Sequence, residues 1–167
     1  MSQDVPQNVL VSVRRIKEVS FSINESLYAQ QLPVNPDIPL KIEIAFNLSF
    51  TIETNLVFLV ARVFYHFPDS PPQDILTEIQ VQNVFEINEL SRFQVSGGEI
   101  KLPPNTIVTL VALSISHTRA LLAKNISGTL LQENVMSIID PVVLAQHFFP
   151  PMFAPNTPLE EIIDAAV

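Results

Sequence analysis

Apolar and polar side chains alternate along residues 41–53, KIEIAFNLSFTIE. Ile42, Ile44, Phe46, Leu48, Phe50 and Ile52 fall on one side, and Lys41, Glu43, Asn47, Ser49, Thr51 and Glu53 on the other. Successive strand residues point to opposite faces, so this period predicts one long, half-buried strand. A short turn at Thr54 and Asn55 leads into residues 56–67, LVFLVARVFYHF, where β-branched and aromatic residues occupy both parities and predict a strand covered on both faces. Upstream, residues 9–23 (VLVSVRRIKEVSFSI) read as a strand whose parity shifts between Val13 and Val19, which predicts a bulge or bend around Lys17 and Glu18. After a PDSPP loop at 68–72, residues 75–87 (ILTEIQVQNVFEI) supply a fourth strand. Four successive strands with no helix among them predict an antiparallel sheet.

The link between the first two strands, residues 24–39, is long and carries three prolines together with Leu27, Tyr28, Leu32, Val34 and Ile38. Its length suits a Greek-key crossover, and the plainer alternative is a surface loop with incidental apolar residues. From Pro103 the period changes. Prolines stand at the start, Asn105 or Thr106 can cap, Lys124 sits near the end and Gly128 follows, so the segment carries both helix-end signals. Ile107, Leu110, Val111, Ser114, Ile115, Thr118, Leu121 and Leu122 follow helical spacing, while Val108, Leu113, His117 and Ala120 form a second weakly polar side. Such a helix is buried in a large core or shared between subunits. A strand over TIVTLVALSI competes on composition, but the whole segment is longer than most strands. Asp140 followed by Pro141 predicts a short second helix over 140–149.

The expected fold class is therefore α+β: a four-stranded antiparallel sheet with a long crossover after the first strand, then one long and one short C-terminal helix. The 167 residues suit a single domain, with an ordered core over about 8–150 and a Pro-rich, acidic tail over 151–167.

Composition sharpens this. Apolar residues make up 47% of the chain and charged residues 16%, more apolar surface than a monomer of this size easily hides, so an oligomer or a large apolar binding surface is expected. A net charge of −8 repels phosphate backbones and anionic lipid, which argues against nucleic-acid partners and suits extended basic polypeptides. Residues 102–118 are uncharged, yet Pro103, Pro104, Asn105, His117, serines and threonines make them too polar for a bilayer span. There is no cysteine and the first residues lack a secretion-signal pattern, so a cytoplasmic location is expected.

Candidate chemistry is sparse. His66, His117 and His147 lie in apolar contexts on separate elements, and Ser116 beside His117 points elsewhere on a helix. Gly97 and Gly98 in VSGGE fit a turn rather than a phosphate loop, and the carboxylates show no metal-ligand spacing, so no cofactor and no metal are expected. The aromatic residues stand out instead. Strand phenylalanines such as Phe46, Phe50, Phe58, Phe64 and Phe85 read as core, whereas the crossover and residues 148–153 place aromatics among prolines, where one sheet cannot cover them all. They suit a groove for other chains.

Three stretches resemble the SecB export chaperone family: RRIKEVSFSI at 14–23, ILTEIQVQNVFEI at 75–87, and IVTLVALSISHTRALLAKNISGTLL at 107–131 followed by MSIIDPVVLAQHFF. In order and at suitable spacing they follow that family's first strand, fourth strand and two helices. The resemblance implies an ATP-independent holdase, a homotetramer built as a dimer of dimers, that keeps preproteins unfolded and passes them to a SecA-type motor ATPase. For such a holdase the candidate client groove is Leu27, Tyr28, Leu32 and Val34 of the crossover with Phe148, Phe149 and Phe153. The resemblance also implies a motor contact at Glu18, Leu76 and Glu78, with Ser22 standing where the family has another acid. Two other readings remain: a SecB-like chaperone dedicated to one client such as an antitoxin, and an oligomeric structural or adaptor protein. An enzyme built on His66 with Glu78 or Glu86 is the least favoured.

Overall fold

The long alternating stretch forms strand β2, Lys41–Thr51, and pairs residue for residue with β3, Leu56–His66, without a register break. A computed structural model describes residues 9–31, 39–71, 73–95 and 97–154. In it β1 is Val11–Ile23 and β4 is Ile75–Ile87, and the four antiparallel strands lie in the order β1-β4-β3-β2. The link from β1 to β2 therefore crosses the full width of the sheet, as a Greek key requires. The expected α+β arrangement is present: α2, Pro104–Ile126, and α3, Pro141–Phe148, follow the sheet.

Several local details differ from the expectation. Strand β2 stops at Thr51 because Ile52–Thr54 form a 3-10 turn, closed by Asn55 in the left-handed conformation (φ 57°). Asn55 then accepts from the backbone of Ile87 and, through Oδ1, of Leu90, tying the hairpin to the end of β4. Strand β1 is bulged twice, at Val19, next to the bulge or bend expected around Lys17 and Glu18, and at Arg14. The crossover contains a short helix, α1, Glu25–Gln31. The Asn24 side chain caps it by accepting from the Leu27 amide at 3.0 Å. At the start of α2, Pro103 and Pro104 take the cap and first helical positions, so Asn105 and Thr106 lie inside the helix and do not cap it. Asp140 caps α3 as expected, accepting from the Val142 amide at 2.8 Å.

Helix α2 lies against one face of the sheet. Ile107, Leu110, Val111, Ser114, Ile115, Thr118, Leu122 and Ile126 are buried against Val57, Leu59, Val63, Ile79, Val81 and Phe85. This burial explains an uncharged 23-residue helix without a bilayer. Its other side remains open. Leu113, His117 and Leu121 are half-covered, and Ser116 and Ala120 are exposed.

Candidate functional site

Residues directly opposite each other on paired strands share a face, so the register assigns every strand residue to the helix side or the outer side. On the helix side, β2, an edge strand, contributes Ile42, Ile44, Phe46, Leu48 and Phe50, all only partly buried. The end of α3 covers part of this row. Phe148 meets Phe46 edge-on at 5.2 Å and Phe149 lies 6.2 Å from the same ring. Beyond them a 3-10 turn, Pro150–Met152, brings Met152 to an open groove of about 480 Å³ lined by Phe50, Ile52, Val95, Ile100, Lys101 and Pro151 among others. Phe153 is half-buried beside this turn, its amide donating to Pro150 O at 3.0 Å.

Leu27 and Tyr28 form a separate cluster. Tyr28 stacks on Phe67 with ring centres 6.0 Å apart, accepts from Asn134 through its hydroxyl, and sits beside a second groove of about 410 Å³ lined by Leu27, Gln31, Phe67 and Pro68. Phe67 follows His66, whose partner Lys41 is five residues along β2 from Phe46, roughly 17 Å away. The expected groove residues thus fall in two places: Phe148, Phe149 and Phe153 at one, Leu27 and Tyr28 at the other. Leu32 and Val34 lie outside the described residues.

The residues expected to meet a motor are also divided. Glu18 is opposite Val81 on the helix side and accepts from Asn125 of α2 at 2.8 Å. Glu78 is opposite Ser22 and Phe64 on the outer side, where its Oε1 accepts from Arg62 Nε at 2.6 Å. That bond is the main reason the Arg62 guanidinium holds its proton above the ordinary range. Leu76 is the extra residue of a register break against β3 and is 0% exposed, so its side chain is unavailable to a partner.

The histidines take no catalytic geometry. His66 Nε2 lies 3.2 Å from Glu43, not from Glu78 or Glu86, which are engaged by Arg62 and Arg14. The Glu43 carboxyl is held below its usual range chiefly by a hydrogen bond from Lys41. His117 Nδ1 is 2.7 Å from Oδ1 of the fully buried Asn83, and burial pushes the imidazole down. Tyr65, in the core, is pushed up to about 12 by burial. Among the described residues no cluster of His, Asp or Glu is arranged to hold a metal.

A second apolar surface lies at the other edge. Val13 and Ile16 belong to the helix side of β1, opposite Phe85 and Asn83, yet are 44% and 43% exposed. The open side of α2 adjoins it through the His117–Asn83 and Asn125–Glu18 contacts.

The sequence reading did not anticipate that Phe46 meets Phe148 and Phe149, or that Phe50, Ile52 and Met152 line an open groove. A usable signal was present: Phe46 and Phe50 share one parity of a strand followed by a 3-10 turn, and an edge strand cannot bury such a row completely.

No family model matches the chain, and no curated protein matches it. Among solved structures it is similar to a Mycobacterium tuberculosis SecB-like chaperone in complex with a ChAD peptide from an antitoxin, at 9% identity and TM-score 0.44 over 77% of this chain and 90% of that one. It is also similar to a protein of unknown function from Streptococcus agalactiae, at 11% identity and TM-score 0.38 over 71% of this chain and 88% of that one.

Proposed function

We propose that the chain is an ATP-independent holdase chaperone, with the surface beside β2 as its client site. The observation that carries this reading is the half-exposed aromatic row Phe46, Phe148 and Phe149, which continues through Met152 into an open apolar groove along an edge strand. An edge strand offers unpaired amides and carbonyls to an extended polypeptide, and the adjoining aromatic row takes its apolar side chains. Each Å² of apolar client surface removed from water contributes about 25 cal/mol, and the affinity needs no nucleotide. The negative chain attracts basic clients from a distance.

Assembly into a homotetramer in the cytoplasm, through the Val13–Ile16 edge and the open side of α2, belongs to the same proposal, as does delivery of preproteins to a SecA-type motor. For that contact Glu18 and Glu78 are the carboxylates that reach solvent, one on each side of the sheet, and Leu76 is buried support. The Leu27–Tyr28 cluster is a second client contact.

The test is light scattering by a slowly folding preprotein diluted without nucleotide into solutions of this chain. Suppression is expected, and Phe148→Ser with Phe149→Ser weakens client binding roughly tenfold, the loss of about one buried aromatic, while the oligomer stays folded. Unchanged affinity removes the two phenylalanines from the site. Suppression of one client but of no unrelated proteins replaces the general holdase with a dedicated one. Aggregation of every client as before leaves the structural or adaptor reading.

A further inference from the structure

Although the chain carries a net charge of −8, five of its nine lysines and arginines belong to the sheet face turned away from the helices: Arg14, Arg15, Lys17, Lys41 and Arg62. The strands place three carboxylates there, and each is already engaged: Glu86 by Arg14, Glu43 by Lys41 and Glu78 by Arg62. The two cations left over are Arg15 and Lys17. Neither has a carboxylate partner among the described residues, and Arg15 only reaches the Gln82 side-chain oxygen at 3.4 Å. Both are exposed, on the same side of β1 and about 7 Å apart along it.

The same half of the face holds an apolar ridge. Leu56, Phe58 and Val60 follow one another on the outer side of β3 over about 14 Å, half-buried where their neighbours on the helix side are sealed. Beyond Val60, Arg62 lies over the Phe64 ring and ends the ridge. Strand β4 separates ridge and cations by about 10 Å. Val84, 4% exposed, is the floor between Phe58 and Arg15, and Gln82 stands between Val60 and Lys17. A partner that fits is therefore apolar along one line and acidic along a second line to one side of it. One extended strand is too narrow, since paired strands lie only about 5 Å apart. A helix about 10–12 Å across covers both lines. Its a and d positions rest on the ridge, and carboxylates at b and e, all on one flank, point toward β1. Flank residues at i and i+4 are about 6 Å apart, close to the spacing of Arg15 and Lys17. Charge excludes the other occupants: two uncompensated cations repel basic clients, while nucleic acid and anionic lipid extend past this patch and meet the net charge of −8.

We propose that this half of the outer face docks an acidic amphipathic helix of a partner protein, its apolar seam on Leu56, Phe58 and Val60 and its flanking carboxylates on Arg15 and Lys17. This goes beyond the holdase reading and stands without it. An acidic partner and a basic client then occupy opposite faces of one sheet, and the chain can hold both at once.

The probe is a synthetic two-heptad helix, held helical by a hydrocarbon staple at its f positions, with leucine at a and d and glutamate at b and e; its twin carries lysine in place of glutamate. Each is titrated into the full-length chain and followed by amide spectra. The acidic helix is expected to shift the amides of Arg15, Lys17, Phe58, Val60 and Gln82 and to bind about tenfold more tightly than the lysine twin. Its affinity falls about tenfold in the variant Arg15→Glu with Lys17→Glu, whose fold is checked by circular dichroism, and falls likewise for the unaltered chain in high salt. Equal binding of the twins, or binding of neither, overturns the proposal. So do undiminished affinity in the variant and shifts confined to Phe46, Phe50 and Ile100. Shifts at the same outer-face amides when the chain alone is concentrated overturn it in favour of a second copy.

Discussion

The two faces of the sheet are made by the same four strands and end in opposite states. On the helix side Val57, Leu59, Ala61, Val63 and Tyr65 of β3 are at most 1% exposed, sealed by α2. One residue over, Phe58, Val60 and Phe64 are only half-buried, and Arg62 lies over the Phe64 ring at 4.5 Å. An apolar residue on a strand is therefore not by itself a core residue. Its free-energy contribution depends on whether another layer closes over its face.

The strongest test of this difference pairs Phe85→Ala with Phe58→Ala in denaturant unfolding. Phe85 is fully buried beneath α2, and its loss is expected to cost about 3–5 kcal/mol. Phe58 is half-covered, and its loss is expected to cost about 1 kcal/mol. Equal costs would mean that the outer face is closed by a layer of its own. A smaller effect is expected from replacing the Arg62–Glu78 pair by two methionines. Arg62 is 47% exposed, and such a surface ion pair contributes less than about 1 kcal/mol. A larger change in the double variant would show that the pair is desolvated by a partner.

The smallest effect concerns pH and the helix side alone. Burial holds His117 below its ordinary value of 6.5, so as pH falls the unfolded chain takes up the proton before the folded one. Stability from this group is complete above 6.5, declines as pH drops through that value, and levels off below the folded-state value. His117→Gln is expected to flatten that part of the pH–stability curve. An unchanged slope assigns it to another group.

The fold was legible in the sequence where one period persisted. The alternation from Lys41 to Phe50 gave β2 its length and faces, and the helical spacing from Ile107 to Leu122 gave α2, because both signals come from burial against a single neighbouring layer. The seven-residue α1 escaped notice since it makes barely two turns, and its signature is an Asn24 cap rather than a period. The candidate site was legible in part. Phe148 and Phe149 stood out because prolines isolate them, but Phe46 looked like any strand phenylalanine, since no local pattern tells an edge strand from a central one. The division of Glu18 and Glu78 between faces depends on the bulge at Val19, which reverses parity back to the second bulge at Arg14. Counting parity without that extra residue places the two acids together.

The two bulges of β1 also make the sheet's borders unequal. Strand β2 presents eleven residues in unbroken register with β3, an edge that can accept one more strand, while the edge of β1 is kinked at Arg14 and Val19 and accepts an added strand poorly. Fibrillar growth by strand addition requires a receptive border on each side of every unit. A molecule with one receptive and one blunted border can take up a strand and then stop, so an exposed apolar edge of this kind is compatible with concentrated solution without seeding a polymer.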